Sequence, residues 1–556
     1  MPLMSGKEAL METLISEKVE YVFGNPGSTE AVFMEGLYNR PEIQYILGLH
    51  ETVAMGMAEG YAWASGKPGV VNVHALPGLA NALSVLYNAQ KADIGLVVTA
   101  GQQDTRLMQR EPGLSGDLLQ MARPFTKWST EVYHAADIPL VMHRAFKVAN
   151  QPPTGPVFVS LPQDVLEQRE EVETTPPSHA YPPFSPDPEA IDRAAELLAR
   201  AKRPALFVGF RLSRCDALKE AAQLAEMVGA RVYENTVRPE AAFPTNHPLF
   251  VGGVSTDSSD APDIFQDVDV ILAVGANFVA QLFYLPKPLI NPNTRVIHMD
   301  IDPWEIGKNQ STQVGIVGDI KEGLQALTEA LRKRMSPEAK RVARARAKEI
   351  GEETKKRREV LWERAQHNWD RTPISDTRLM VELRECLEPG TIIVDGSVTA
   401  SRALRDYFDF SEPKSYLSFR DDDGSLGDSL PMALGVKLAQ PDRPVVGIVG
   451  DGTSLYSIQA LWTAAHYDIP VPIIICSNAT YRILKINAVR VMGQKVKDRL
   501  HSLDFFDPPI DFARLAQGFG IHGEQVRDPK DLRPALEKAL HLGKPALVDV
   551  IIEGGI

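Results

Sequence analysis

Short apolar runs rich in Val, Ile and Leu alternate with segments of helical periodicity along most of the chain. This pattern predicts parallel strands covered by helices on both faces. Strands are expected at 69–75, 96–101 and 156–161, then at 205–210, 268–274 and 295–300. A last group is expected at 391–394, 444–449, 470–476 and 546–551. Two breaks separate the groups. Residues 170–188 hold an acidic run followed by many prolines and read as an extended linker. Residues 336–370 are dense in Lys, Arg and Glu and read as a solvated helix carrying i,i+4 pairs. The expected organisation is an α/β domain over 1–180, a second over 189–335, a charged helical linker over 336–372 and a third α/β domain over 373–556. One internal echo links the first and third. Leu86 to Asp93-Ile94 and Leu461 to Asp468-Ile469 share spacing ahead of a predicted strand, which suggests one repeated fold.

Length and composition agree with this division. A chain of 556 residues is too long for one core. With 44% apolar and 24% charged residues it has an ordinary globular composition. A net charge of −13 disfavours nucleic acid or an anionic membrane as a partner, since either calls for a basic stripe. No apolar run is long enough to span a bilayer, and residues 1–18 lack the apolar core of an export signal. Cys215, Cys386 and Cys476 are isolated thiols with no Cys-x-x-Cys pair, which fits a reducing cytoplasm and excludes a cysteine zinc site.

The strongest chemical signal lies near the end of the chain. The apolar strand 445–449 runs into Gly450-Asp451-Gly452-Thr453-Ser454, followed by a helical segment around 458–465. Glycines let a backbone approach phosphate, and a helix N-terminus offers free N–H groups to it. Asp451 can ligate a hard cation such as Mg²⁺, which takes oxygen ligands from side chains and phosphate together. Alone, Gly-Asp-Gly is as readily a tight turn. The next strand ends in Ser477-Asn478-Ala479-Thr480-Tyr481, and adjacent parallel strands bring their C-terminal ends to one crevice. The Asn478 side chain and the Thr480 carbonyl are candidates to complete a metal shell with Asp451. Neither a P-loop nor a Gly-x-Gly-x-x-Gly fingerprint follows a strand, which leaves a nicotinamide oxidoreductase without support.

A Gly-Asp-Gly strand end with an Asn 27 residues beyond its Asp resembles the thiamine-diphosphate signature. The chain is similar over nearly its whole length to the thiamine-diphosphate decarboxylase and acetohydroxyacid-synthase superfamily. Residues 22–28, His50-Glu51 through Ala62, and 460–465 look most like benzoylformate decarboxylases, whereas 298–308 looks more like the synthase branch. The resemblance implies pyrimidine-binding, middle and diphosphate-binding domains, each a doubly wound parallel sheet. It implies thiamine diphosphate and Mg²⁺ as cofactors, with Gly450, Asp451, Gly452, Thr453, Asn478, Thr480 and Tyr481 around the diphosphate and Asp451, Asn478 and Thr480 on the metal. Ser397 and Thr399 are further diphosphate candidates, or else helix caps. The Gly424 carbonyl matches the acceptor for the aminopyrimidine N4′, and Leu426 the bulky residue between the two cofactor rings, though a core leucine reads the same.

By the same resemblance Glu51 is the carboxyl that bonds N1′ of the aminopyrimidine. Read without it, Glu51 is a first-turn acid complementing a helix dipole. Such a group works best in apolar surroundings. Ser28, His74 and Gln102 match substrate-pocket positions. Ser28 also reads as an N-cap, and His74 as a structural histidine at a strand end. One departure stands out: benzoylformate decarboxylases carry a second pocket histidine in the middle domain, and residues 277–284 contain none. This leaves room for capture of the enamine intermediate by a second carbonyl. Arg482 and Lys485 are positive side chains near the expected pocket mouth, or else a solvated helix face.

The expected function is therefore a carbon–carbon lyase acting on a 2-oxo acid, with carboligation to 2-hydroxy ketones. An acetolactate-synthase-like carboligase is the nearest alternative, and a non-catalytic cofactor-binding regulator is one of another class. The expected partners are 2-oxo acid and aldehyde small molecules and a second copy of the chain. The resemblance implies a homodimer with shared active sites, commonly a homotetramer.

Overall fold

The computed structural model describes residues 2–38, 40–177, 184–235, 239–254, 261–281, 283–284, 287–367, 369–418 and 424–555, without the side chains of 261, 262 and 498. Two compact units emerge. One comprises Met1–Ala180, Asp370–Leu404 and Asp423–Ile556; the other comprises Tyr181–Trp369 and Arg405–Asp422.

The first unit holds two parallel sheets. One runs in the order Gln44–Leu47, Tyr21–Asn25, Gly69–Val73, Leu96–Gln102, Val157–Pro162, Trp128–Glu131. The other runs Ile392–Gly396, Val445–Gly450, Pro472–Ser477, Ala546–Ile551, His522–Val526. In both, the strand latest in sequence lies inside its immediate predecessor, so the five strands from Tyr21–Asn25 to Trp128–Glu131 and the five named for the other sheet share one winding. The sequence echo marks the same corner of each. Asp93 and Asp468 leave their helices at φ 50° and 49°. Ile94 N donates to Ala89 O and Ile469 N to Ala464 O, both over 2.9 Å. The strand Val445–Gly450 and its neighbour Pro472–Ser477 are buried throughout, the mark of a sheet covered on both faces.

A buried helix pair joins the two sheets. The helix Glu51–Ser65 is capped by His50, whose ring accepts from Thr52 N, and ends at Gly66 with φ 75°. Every residue from Glu51 to Ala64 is buried, so this helix is covered on all sides. It packs on the helix Ser429–Ala439 almost backbone to backbone. A Cβ on Gly60 would lie 2.2 Å from Met432 O, and one on Gly435 would lie 1.9 Å from Met57 O. Only glycine permits that approach.

The second unit is built on one parallel sheet in the order Phe250–Val254, Arg231–Asn235, Pro204–Val208, Val270–Val274, Arg295–Asp300, Val314–Val317. Alternate residues feed two cores: Leu206, Val208, Leu272 and Val274 on one face, Ala205, Phe207, Ile271 and Ala273 on the other. The chain thus forms three doubly wound parallel α/β sheets. The charged segment is the helix Pro337–His367, with exposed pairs such as Lys348–Glu352 at 3.9 Å.

Strand ends differ from the sequence pattern where a helix begins early. The expected strand at 69–75 stops at Val73, because His74 caps the helix Ala75–Lys91 and Ala75 takes φ 44°. The linker expectation fails at its start. Arg169–Glu171 is a strand pairing antiparallel with Leu3–Ser5, so the acidic run begins as sheet, and residues 172–177 beyond it carry no regular element. Its partner lies at the far end of the domain's sequence, and both strands are only three residues long, so no apolar alternation betrays them. Residues 178–183 of that segment lie outside the described residues. Pro188 opens the helix Pro188–Ala199, where a missing N–H costs nothing.

Candidate active site

The C-terminal edge of the first sheet carries the candidate proton-handling groups. Glu51, 5% exposed, is the first residue of its buried helix. Asn25, at the end of the strand Tyr21–Asn25, donates its amide to Glu51 Oε1 over 3.1 Å. Asn81, on the helix Ala75–Lys91, donates to Oε2 over 2.9 Å. Both oxygens are therefore fixed by neutral donors in a buried setting. Sequence reasoning missed both asparagines, because neither lies near Glu51 in the chain.

His74 lies on the same edge. A Cβ on Gly78 would be 3.2 Å from Glu51 Oε1 and 3.3 Å from His74 Cβ, so both residues lie against this one glycine. The His74 Nδ1 is 2.7 Å from Glu30 Oε2, and the ring lies so close over Gly27 that a Cβ there would be 2.3 Å from Cγ. Ser28 is exposed and opens the short turn Ser28–Glu30, whose cap is Gly27. Gln102 ends the strand Leu96–Gln102 and is 2% exposed. Its amide donates to Gly116 O over 3.1 Å and accepts from Gln103 N over 3.0 Å.

At the edge of the other sheet, three strand tips converge. Gly396 pairs beside Val449, and Gly450 beside Cys476. Asp451, 4% exposed, ties two of these tips together. Its Oδ1 accepts from Gly452 N over 2.7 Å, while Oδ2 accepts from Asn478 N over 2.7 Å and Ala479 N over 2.5 Å. Burial pushes this carboxyl up to about 6, against the pull of those three N–H groups. Ser454 Oγ donates to Asp451 O, closing a single helical turn Asp451–Ser454. The helix expected around 458–465 is a separate element, Ala460–His466. A Cβ on Gly450 would sit 3.5 Å from Thr453 Oγ1 and 3.6 Å from Ser397 O. Tyr481 covers Gly452, with ring Cε1 2.7 Å from the position of a Cβ there. Ser397 donates its hydroxyl to Asp395 over 2.6 Å, and Thr399 is half-buried just beyond.

These groups fit an oxygen-seeking cation. Among the described residues, no cluster of three or more His, Cys, Asp or Glu side chains can hold a metal. A cation here would therefore draw on Asp451 plus neutral oxygens. Asn478 Oδ1 accepts from Thr480 N over 3.1 Å, and Thr480 O accepts from Arg482 N over 2.8 Å. Each oxygen keeps a second lone pair. One buried carboxylate, one amide oxygen and one carbonyl would supply an all-oxygen set of the kind Mg²⁺ takes alongside phosphate.

The loop carrying Gly424 and Leu426 is anchored to the first sheet's helices. Asn88 donates to Ser425 O over 2.7 Å and to Asp428 Oδ2 over 2.6 Å, and accepts from Ser425 N over 3.3 Å. The loop ends against the residue after Glu51: a Cβ on Gly427 would be 3.4 Å from Thr52 Cγ2. Leu426 is half-buried and Gly424 is exposed. Arg482 and Lys485 are not free charges. Arg482 donates to Gly555 O over 2.9 Å and faces Asp376 at 3.6 Å, and Lys485 pairs with Asp504.

Three family models match in succession: the thiamine pyrophosphate enzyme N-terminal TPP binding domain over 4–122, the central domain over 191–327 and the C-terminal TPP binding domain over 397–550. Benzoylformate decarboxylase of Pseudomonas aeruginosa is 32% identical over 98% of both chains. Acetolactate synthase isozyme 3 large subunit of Escherichia coli is 30% identical, covering 100% of this chain and 96% of that one. Among solved structures, the thiamine diphosphate-dependent 4-hydroxybenzoylformate decarboxylase of Rhodococcus jostii superposes with a TM-score of 0.84 at 30% identity, over 99% of each chain. With a full-length relative above 30% identity and all three domain models in order, the chain belongs to the thiamine pyrophosphate enzyme family.

Proposed function

We propose that this enzyme decarboxylates a 2-oxo acid with thiamine diphosphate and Mg²⁺, releasing an aldehyde or joining the product to a second carbonyl as a 2-hydroxy ketone. The observation that carries this reading is the buried Glu51 carboxyl, held by Asn25 and Asn81 on the same sheet edge as His74. Thiamine diphosphate, when bound, supplies the electron sink that lets CO₂ depart. The protein's part is to hold protons and exclude water. Glu51 shares a proton with N1′ of the aminopyrimidine, and its burial keeps that exchange away from solvent. His74, with Ser28 and Gln102, handles the substrate end. Asp451, Asn478 and Thr480 hold Mg²⁺, and Ser397, Thr399, Gly450, Gly452, Thr453 and Tyr481 surround the diphosphate. Gly424 and Leu426 would meet the cofactor's rings from a loop that Asn88 pins in place. Two copies of the chain share each site, in a homodimer or a dimer of dimers.

A synthase-type carboligation has its own support in the stretch 277–284, which contains no histidine to protonate the intermediate. The two outcomes separate in one assay. Purified enzyme is given Mg²⁺ and thiamine diphosphate with pyruvate, benzoylformate, oxalyl-CoA and simple aldehydes, and CO₂, aldehyde and coupled product are quantified. Aldehyde equal to CO₂ supports the decarboxylase. Coupled product without free aldehyde supports the synthase type. No CO₂ from any 2-oxo acid would refute both.

A further inference from the structure

Glu30 is a fully buried carboxyl that no part of the reaction above uses. It sits where three adjacent strand ends of the first sheet meet, and every donor around it points inward. Oε2 accepts from Gly27 N over 2.9 Å and lies 2.7 Å from His74 Nδ1. Oε1 accepts from Gly101 N over 2.9 Å, Ala75 N over 3.3 Å and the Thr29 hydroxyl over 2.7 Å. The bond from Ala75 N helps hold that residue at φ 44°, a conformation a non-glycine residue rarely takes. A carboxylate with three backbone N–H donors is an acceptor only.

That donor arrangement fixes the proton on the imidazole. Opposite an acceptor, Nδ1 must carry a hydrogen. The Thr29 hydroxyl, 2.9 Å from the same Nδ1, has given its own hydrogen to Glu30 and so also faces the ring as an acceptor. The ring is clamped from below by Gly27, where a Cβ would be 2.3 Å from Nδ1. It cannot turn over to exchange its nitrogens without displacing that backbone. We propose that Glu30 is the positioning residue for His74, locking the neutral ring as the Nδ1–H tautomer. The Nε2 lone pair is thereby left as the proton acceptor on the substrate side. This rests on the reading that gives His74 a proton-transfer role. It names what makes the ring competent.

The substitution Glu30→Gln separates this from a structural role. A glutamine must set its NH₂ against one of the two donor groups. The Oε1 side has two fixed backbone N–H donors, Gly101 N and Ala75 N, beside the Thr29 hydroxyl, whereas the Oε2 side has one fixed N–H and a histidine that can switch. The amide therefore faces Nδ1, and His74 is expected to move its proton to Nε2. The test is ¹⁵N NMR of ring-labelled histidine in the holoenzyme with Mg²⁺ and thiamine diphosphate, with the signal assigned by its loss in His74→Gln. In the wild-type protein the neutral His74 should show a protonated Nδ1 and a bare Nε2. In Glu30→Gln the two signals should exchange, and kcat should fall on the order of 10²-fold, with KM within about threefold. A wild-type spectrum with a bare Nδ1 would overturn the inference even if the variant fails to fold. So would an unchanged tautomer in a folded Glu30→Gln. If the tautomer exchanges while turnover stays at the wild-type level, Glu30 does position the ring, and the role of His74 in the reaction is what falls.

Discussion

Asn81 reaches Glu51 from a different helix, its amide nitrogen 2.9 Å from Oε2 of a carboxyl thirty positions earlier in the chain. Asn25 closes on the other oxygen, so the proposed activating acid is aimed by two neutral side chains rather than by a cation. Removing an aiming group should therefore cost rate more than binding. Asn81→Ala is expected to lower kcat about tenfold or more while thiamine diphosphate affinity changes only a few-fold. Glu51→Gln should fold, retain most cofactor affinity and lose 10²-fold or more in kcat. Steady-state kinetics beside calorimetric titration of the cofactor measures both; equal losses in kcat and affinity would contradict this division of labour.

At the other sheet, Asp451 is bonded to backbone on both flanks and is the one charged oxygen donor of the proposed metal set. Chelation of Mg²⁺ should release thiamine diphosphate, and restoring Mg²⁺ should recover it. Asp451→Asn should block recovery at any Mg²⁺ concentration and turn an amide N–H toward backbone donors. The lost partners should destabilise this unit by about 1–3 kcal/mol. Cofactor fluorescence quenching with a thermal melt reads the two effects separately.

Asn88 makes three bonds to the segment 425–428. Asn88→Ala should loosen the loop carrying Gly424 and Leu426 and strip a donor from Asp428, whose carboxyl burial already pushes up. The expected result is a lower kcat with an intact fold. Hydrogen exchange over 424–428 should rise severalfold in the variant, and unchanged protection there would count against the anchoring role.

His298, 2% exposed on the second unit's sheet, is pushed down to about 4 by burial, with Arg211 adding to the shift. Its unfolded value is 6.5, so the unfolded chain takes up the proton first. Stability from this residue is present above about pH 6.5 and falls as pH drops toward 4. The full loss is on the order of 3 kcal/mol. Denaturant melts of wild type and His298→Gln, compared at pH 7 and pH 4.5, isolate it. The gap between the two proteins should narrow in acid.

How much of this was legible in the sequence follows from how far apart the interacting residues lie. The meeting of Asp451 and Asn478 was readable because each sits at the tip of a buried strand, and adjacent parallel strands meet there whatever the rest of the chain does. The repeated winding was readable because Asp93 and Asp468 mark one local helix-to-strand corner. Asn25, Asn81, Asn88 and Glu30 were invisible. Their partners are brought near by the winding of whole sheets, and a lone Asn or Glu carries no spacing signal. The strand Arg169–Glu171 was misread because its pairing partner is the other end of its own domain. Arg482 and Lys485 looked available because their acids, Asp376 and Asp504, come from outside the local pattern.

The near-contact of backbones at Gly60 and Gly435 makes a size test simple. Gly435→Ala places a methyl where Met57 O already lies, and a main chain cannot rotate aside as a side chain would. Overpacking typically costs 1–3 kcal/mol, and about 3 is expected here. A melting temperature within a degree of wild type would contradict the packing.

That same seam decides where the protein can be divided. The helix Glu51–Ser65 has no solvent face of its own, so a fragment ending at residue 180 would expose a notched apolar rod, and residues 370–556 alone would expose its mould. Neither piece should stay monomeric in solution by itself. Transplanting either half between relatives should succeed only when both helices of the seam travel together.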